Sequence, residues 1–309
     1  MNKVSLLICC GFIIQTAAFA QRQYADTLYN PVIENPEYPK GTGSVIYIDE
    51  GHYNFHTKVG RYKPFATLLA RDGYQVRSFI GMFNRETLNS VDILVISNAL
   101  HKSNAGDWNK PNPSAFTDEE IAALNDWVTS GGSLFLLADH MPMAGAAQEL
   151  AKSFGYTFYN GFATDTTKTG SDLFTRGDGT LISSVITNGR NNAERVDSVR
   201  SFTGQAFEIP EGATPILATW ENWVSYQTEV PWQIDETTPV LDASNWYQGA
   251  YQNYGKGRLV VFGEAAMFSA QIAEVNDRSF KAGMNRENAR YNHQLLLNII
   301  HWLDQTPTK

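Results

Sequence analysis

The chain is nearly without cysteine. It has two in 309 residues, Cys9 and Cys10, both close to the N-terminus. The body of the protein therefore offers no thiol, which excludes a cysteine nucleophile, a thiolate metal site and a disulfide framework there. A basic cluster is also lacking. The 24 Lys and Arg are scattered among 32 Asp and Glu, for a formal charge of −8. Phosphate binding needs concentrated cations, so nucleic acid is not an expected partner. Beyond the N-terminal segment no apolar run approaches the roughly 20 residues of a membrane span, and no transmembrane span is expected in the mature chain. Internal repeats and low-complexity tracts are absent as well.

What is present starts with "MNKVSLLICCGFIIQTAAFA". Lys3, the apolar run from Leu6 to Ile14 and the Ala18-Phe19-Ala20 triplet read as a secretory signal peptide cleaved after Ala20. The mature chain would begin at Gln21 and keep about 289 residues, none of them cysteine. Export without disulfides in a chain of this size points to a bacterial periplasm or cell surface and to a core that needs no staples. Aromatic residues make up 12%, with seven Trp, which suits a carbohydrate-facing surface and a large core alike.

Residues 21–43 hold three prolines and little periodicity, and read as an extended lead-in. A regular alternation follows. "SVIYID" (44–49) is a strand, and "GRYKPFATLLARDG" (60–73) is a helix stopped by Gly73. "YQVRSF" (74–79) and "VDILVIS" (91–97) are strands, the latter apolar enough to be buried on both faces. Thr117 with Glu120 forms a capping box ahead of "IAALNDWV". "SLFLLAD" (133–139) is a fourth strand, and "AGAAQELAKSFG" (144–155) a helix closed by Gly155. The order implies a doubly wound, mostly parallel sheet. Residues 156–245 are loosely patterned and read as a β-rich insertion. "WYQGAYQNYGKGRLVVFGE" (246–264) reads as a hairpin turning at "YGKG". "ENARYNHQLLLNIIHWLD" (287–304) is an amphipathic helix. The chain is thus expected to be one domain over 44–304 with an insertion.

The order of these motifs carries a resemblance. A strand ending in "DEGH", then "GYQVRSF", "VDILVISNAL", "FTDEEIAALNDWVTSGGSLFLLADH" and, late, "GKGRLVVFGEAAMFS" resembles the class I glutamine amidotransferase-like superfamily. Within it the chain is similar to the exported members with a domain of unknown function and to trehalose-utilisation-type proteins. The resemblance covers 44–155 and 246–304 and implies a flavodoxin-like or amidotransferase-like fold with its pocket position. In members that hydrolyse glutamine, the strand before the "AGAAQELAKSFG"-type helix ends in a nucleophile elbow carrying cysteine. Here that place reads "LLADHMP", with Asp139 and His140. A thioester route is therefore not expected, and the fold carries over without the activity.

Ligands of open parallel sheets bind beyond the carboxyl ends of the strands. Those ends supply Asp49, Glu50, His52, Asn54 and His56, then Asn98 and His101, then Asp139 and His140, and late in the chain Glu264. One reading is a divalent metal such as Zn held by Asp49, His52 and His56, with a bound water as nucleophile and Glu264 or Glu50 as general base. A second needs no metal. Asp139 acts as nucleophile or base with His140 or His52, or Asp139 and Glu264 form the carboxylate pair of a glycoside-cleaving site. Asn54, Asn98 and Trp108, the last in the 101–115 loop, are candidate substrate contacts. Plainer roles stand beside these. Asp49, Asn98 and Asp139 suit helix caps and loop amides. Gly51 suits a tight turn, His293 suits burial, and His301 suits a surface or helix-end position. The sequence leads to an exported, cysteine-independent hydrolase-like protein, metal-assisted or not, acting on a small or carbohydrate-derived substrate. Its rival is a non-catalytic glycan- or protein-binding module walled by Trp108, Trp223 and Trp246.

Overall fold

The computed structural model describes residues 22–168, 170–275 and 278–305; the segment read as a leader lies outside them. The first half holds β1 (Arg22–Ala25), β2 (Val45–Asp49), α1 (Lys63–Arg71), β3 (Gln75–Phe79), α2 (Arg85–Leu88), β4 (Ile93–Ser97), α3 (Asp118–Ser130), β5 (Ser133–Leu137) and α4 (Met143–Ser153), and from β2 onward it follows the expected alternation with only the short α2 added. Short pieces come next: β6 (Thr157–Phe158), β7 (Phe162–Asp165), β8 (Leu173–Thr175), α5 (Val185–Asn188), β9 (Ser198–Arg200), β10 (Phe207–Glu208), β11 (Thr214–Ala218), β12 (Trp223–Tyr226) and β13 (Val240–Asp242). The chain closes with β14 (Tyr247–Tyr254), β15 (Gly257–Phe262), β16 (Ala270–Val275), β17 (Arg278–Gly283) and α6 (Asn292–Leu303).

These elements form a mixed α/β fold around a nine-stranded sheet ordered β3-β2-β4-β5-β15-β14-β10-β6, with β11 also on β14. The run from β3 to β15 is parallel, and β14 returns antiparallel to β15. Side chains of a strand alternate between faces, and here they divide two cores. Ile48, Val95, Leu137 and Phe262 face one core, with Leu68 and Leu69 of α1 and Leu295 and Ile299 of α6. Ile96, Leu136 and Val261 face the other, with Leu124 and Val128 of α3 and Leu150 of α4. Each such side chain, fully buried, contributes about 1.5–3 kcal/mol.

Local chemistry sets the element ends. Thr117 and Glu120 complete both halves of the capping box on α3, and Gly131 stops that helix at φ 129°, a left-handed value that suits glycine. Pro64 occupies the first turn of α1, where its missing N–H costs nothing.

Two segments differ from the sequence reading. The lead-in is not featureless, because β1 pairs antiparallel with β16, and β16 with β17, as a separate three-stranded sheet. The hairpin of β16 and β17 lies where the sequence suggested no element. Its exposed residues, including Phe280, blur the alternation that marks a half-buried strand. In 156–245, β6, β10 and β11 extend the main sheet, while β7, β12 and β13 form a small sheet of their own.

Candidate functional site

β5 and β15 are parallel neighbours, with Leu137 opposite Phe262. Asp139 and Glu264 each lie two residues beyond that pair, so the period of two turns both toward the same face. Both are buried and both line a cleft of about 600 Å³. One Asp139 oxygen accepts the Ala265 N–H, and the other accepts Asn98 Nδ2 at 2.7 Å. Glu264 accepts the N–H groups of Ala266 and Met267 at 2.9 and 2.7 Å. Burial pushes the Asp139 carboxyl above its usual range, against the hydrogen bonds from Asn98 and Ala265. Glu264 is raised well above its own range, by burial first and then by the neighbouring Asp139 charge. Two like charges in a dry site do not both ionise readily, so the pair holds on to a proton.

His140 follows at the mouth of β5. Its Nδ1 lies 2.6 Å from the Met141 carbonyl, which fixes the proton on that nitrogen and leaves Nε2 as an acceptor. The ring stacks on Phe162 at 4.4 Å and meets the edge of Trp232 at 4.7 Å. Burial lowers its pKa to about 4. The imidazole is therefore neutral where the carboxyl pair still carries its proton.

His56 lines the same cleft. It stacks on Tyr62 at 4.5 Å, and its Nδ1 lies 3.2 Å from Ser97 Oγ. Ser97 also hydrogen-bonds Tyr62, whose hydroxyl donates to the Ala265 carbonyl at 3.0 Å. His56 Nε2 is buried without a hydrogen-bond partner. Burial, reinforced by the Arg61 charge, lowers this imidazole to about 3.

The remaining sequence candidates divide sharply. Trp108 lines the cleft, but Asp49, Glu50, His52, Asn54 and Asn98 do not. Asp49 follows Ile48, which shares a core with Leu137 and Phe262, so parity turns Asp49 to the opposite face. There both of its oxygens lie within 3.0 Å of His52 Nδ1, while His52 Nε2 meets Glu120 Oε1 at 3.0 Å. With both ring nitrogens occupied and Phe83 stacked on the ring at 4.6 Å, His52 is a strut between β2 and α3. The expected ligand set of Asp49, His52 and His56 does not assemble, and no group of three or more His, Cys, Asp or Glu among the described residues is arranged to hold a metal ion.

Asn54 braces the same strut, donating to Asp49 at 2.9 Å. Glu50 accepts the Lys58 N–H at 2.6 Å and ties down its loop. Asn98 acts on the cleft through Asp139 rather than from its wall. His101 caps a short turn, accepting the Ser103 N–H at 3.2 Å. Gly51 serves a close approach, since a Cβ there would lie 2.6 Å from the Gly81 carbonyl oxygen. His293 is half-buried, and desolvation lowers its pKa. His301 is not a free helix-end residue, as it meets Asp72 at 2.7 Å.

The cleft also holds residues that the sequence reading passed over: Arg61, Trp232, Gln271 and Arg286. Trp223 and Trp246 are not its walls. Trp223 is buried, and Trp246 stacks on Tyr159 at 4.0 Å. Trp232 is the better signal in hindsight, a lone tryptophan in the polar stretch "TEVPWQIDET" that nothing in the core requires.

No family model matches the chain. No curated protein matches it either. Among solved structures it is similar to the mmIFT52 N-terminal domain, at 14% identity and TM-score 0.58 over 84% of this chain and 98% of that one. That likeness is one of fold. A thua-like protein from Bacteroides uniformis aligns at 11% identity and TM-score 0.46, over 89% of this chain and 94% of that one. A cytoplasmic protein from Salmonella typhimurium aligns at 12% identity and TM-score 0.49, over 84% and 99%.

Proposed function

We propose that the protein is a cysteine-independent hydrolase of a small, polyhydroxylated substrate, working by acid–base catalysis from Asp139, Glu264 and His140. We further read its sheet as doubly wound and, from the leader-like residues 1–20, its place of work as outside the cytoplasm. The observation that carries this reading is a buried carboxyl pair and a buried imidazole lining one cleft. The carboxyl pair is pushed up and the imidazole is pushed down. Such a divergence separates acid from base. The pair supplies a proton to a leaving oxygen, and His140 Nε2 takes one from the attacking water. A positioned acid or base of this kind typically contributes about 10²–10⁴-fold. The aromatic rings of Trp108 and Trp232, which line the cleft beside His140, suit the apolar faces of a sugar ring.

One observation favours the rival reading, a binding module. Every oxygen of Asp139 and Glu264 already accepts a hydrogen bond from the protein, as carboxylates in structural roles do. A panel of chromogenic glycosides and esters, assayed with wild type and with Asp139→Ala, separates the two. Turnover that disappears in the folded variant supports the hydrolase. Ligand binding with no turnover on any member of the panel supports the binding module.

A further inference from the structure

The cleft contains polar atoms with no partner, and their chemistry is selective. His56 and Gln271 are 1% and 3% exposed, and both face the cleft. His56 Nε2 and Gln271 Oε1 have no hydrogen-bond partner, while Gln271 Nε2 is held by Ser269 Oγ at 2.7 Å. The His56 tautomer follows from its neighbours. Tyr62 donates its hydroxyl proton to the Ala265 carbonyl, so Ser97 donates to Tyr62 and His56 Nδ1–H donates to Ser97. That order leaves His56 Nε2 a bare acceptor. The cleft thus offers two buried acceptors in want of O–H or N–H donors, and His140 Nε2 adds a third acceptor at the same cleft. Leaving such atoms buried and unsatisfied is costly, and a ligand that supplies donors removes the cost.

The cations lack counter-charges. Arg61 Nε is buried without a partner, its Nη1 makes only a long bond of 3.5 Å to the Phe55 carbonyl, and the guanidinium sits 3.8 Å over the Phe55 ring. Arg286 stands beside Phe202 at the same cleft. Neither arginine forms an ion pair with a carboxylate among the described residues, although the chain as a whole carries a charge of −8. The two carboxyls of the cleft are the natural counter-charges, but Asp139 is engaged by Asn98 and the Ala265 N–H, and Glu264 by the Ala266 and Met267 N–H groups. The two buried imidazoles there are neutral.

Unpaired guanidinium donors, bare acceptors and aromatic walls in one cleft describe a ligand with an anion, several hydroxyls and an apolar ring face. We propose that the cleft recognises a sugar acid, with Arg61 and Arg286 on its carboxylate and His56 and Gln271 on its hydroxyls. This rests on the cleft being the substrate site of the proposed hydrolase and specifies the substrate class it takes.

Binding tests this without turnover. Trp108 and Trp232 line the cleft, so intrinsic fluorescence reports occupancy, with calorimetry as a check. The probes are methyl glucuronoside, methyl glucoside and cyclohexanecarboxylate, which carry both features, only hydroxyls, and only the carboxylate. The glucuronoside is expected to bind at least about tenfold tighter than either of the others, because charge-assisted bonds to a desolvated guanidinium are strong. Arg61→Gln and Arg286→Gln should each remove most of that preference, and Gln271→Ala should weaken both sugars alike. If Arg61→Gln does not fold, Arg286→Gln carries the same test from its half-buried position.

Equal binding of glucuronoside and glucoside overturns the proposal, as does a preference that survives both arginine changes. So does cyclohexanecarboxylate binding as tightly as the glucuronoside, which would make the site a plain carboxylate receptor. Selective glucuronoside binding with no hydrolysis of any glycoside leaves this inference standing and removes only the catalytic reading.

Discussion

Asn98 and Asp139 hold each other reciprocally. Asn98 Nδ2 donates to Asp139 Oδ2 at 2.7 Å, and the Asp139 N–H donates to Asn98 Oδ1 at 2.9 Å. Asn98 does this from φ 49°, a left-handed conformation that asparagine tolerates better than most residues. Asn98→Ala should therefore lose two buried hydrogen bonds and strain the backbone, costing about 2–4 kcal/mol. Urea denaturation measures that cost. Asn98→Gly relieves the strain but still frees Asp139, so it should recover part of the stability and little of the activity.

The rate should be bell-shaped in pH. Activity falls as pH drops through about 4, where His140 gains a proton and ceases to be a base. On the alkaline side it falls as the Asp139 and Glu264 carboxyls lose their protons, at a pH above the ordinary carboxylate range. The profile of kcat/KM for the free enzyme reads both limbs. A rate that stays flat across the alkaline limb would show that the pair is not the acid.

The same pair should tax stability as pH rises. Its folded-state pKa values are raised, so its contribution is fully present below the unfolded carboxylate value of about 4 and is lost as pH climbs through the folded values. Thermal melts from pH 4 upward are expected to decline more steeply in wild type than in Asp139→Ala.

Glu120 is a structural counterpart. It caps α3, accepts the Phe83 N–H at 3.0 Å and meets His52. Burial pulls the His52 pKa down, but the bonds and charges of Asp49 and Glu120 outweigh it, and the net shift is upward. Burial pushes Glu120 up, yet its contacts with Thr117, His52 and Phe83 leave it lowered. The His52 contribution is present below its unfolded value and lost as pH rises through the folded one. The Glu120 contribution is present above its unfolded value and lost as pH falls through the folded one. Glu120→Ala should cost about 3–5 kcal/mol and leave kcat/KM unchanged in the folded fraction, as denaturation and kinetics together would show.

Trp232 is 58% exposed at the cleft and rests on His140 and Phe162. Trp232→Ala should change stability by no more than about 0.5 kcal/mol and raise KM about tenfold, since stacking of the sugar on an aromatic face is lost. An unchanged KM would remove this residue from the ligand's path.

Much of this architecture is legible in the chain. "VDILVIS" and "SLFLLAD" are too apolar to be anything but interior strands, and Thr117 with Glu120 announces α3. The pairing of Asp139 with Glu264 was also within reach, as both end strands of the expected parallel run. Parity was not. Whether Asp49 faces Asp139 or the opposite core turns on a one-residue register between β2 and β4, and a strand quoted alone does not carry its neighbour's register. This is why the "DEGH" loop looked like a metal site and is a strut. Arg61, Gln271 and Arg286 were missed for another reason. Each is ordinary in its own segment and becomes unusual only through partners it lacks in three dimensions.

The cleft is also late in time. Tyr24 of β1 donates to Glu274 of β16 across 250 positions, and Gln23, Gln271 and Arg286 reach the same cavity. Contacts this distant in sequence form slowly and only after their second half exists. A chain leaving the ribosome has β2 through β5 well before it has β16. The parallel sheet is thus available during synthesis, whereas the ligand-holding wall is not. Occupancy of the cleft thus requires synthesis to have passed Arg286, and a product cut short before Ala270 would leave β1 with no strand to join.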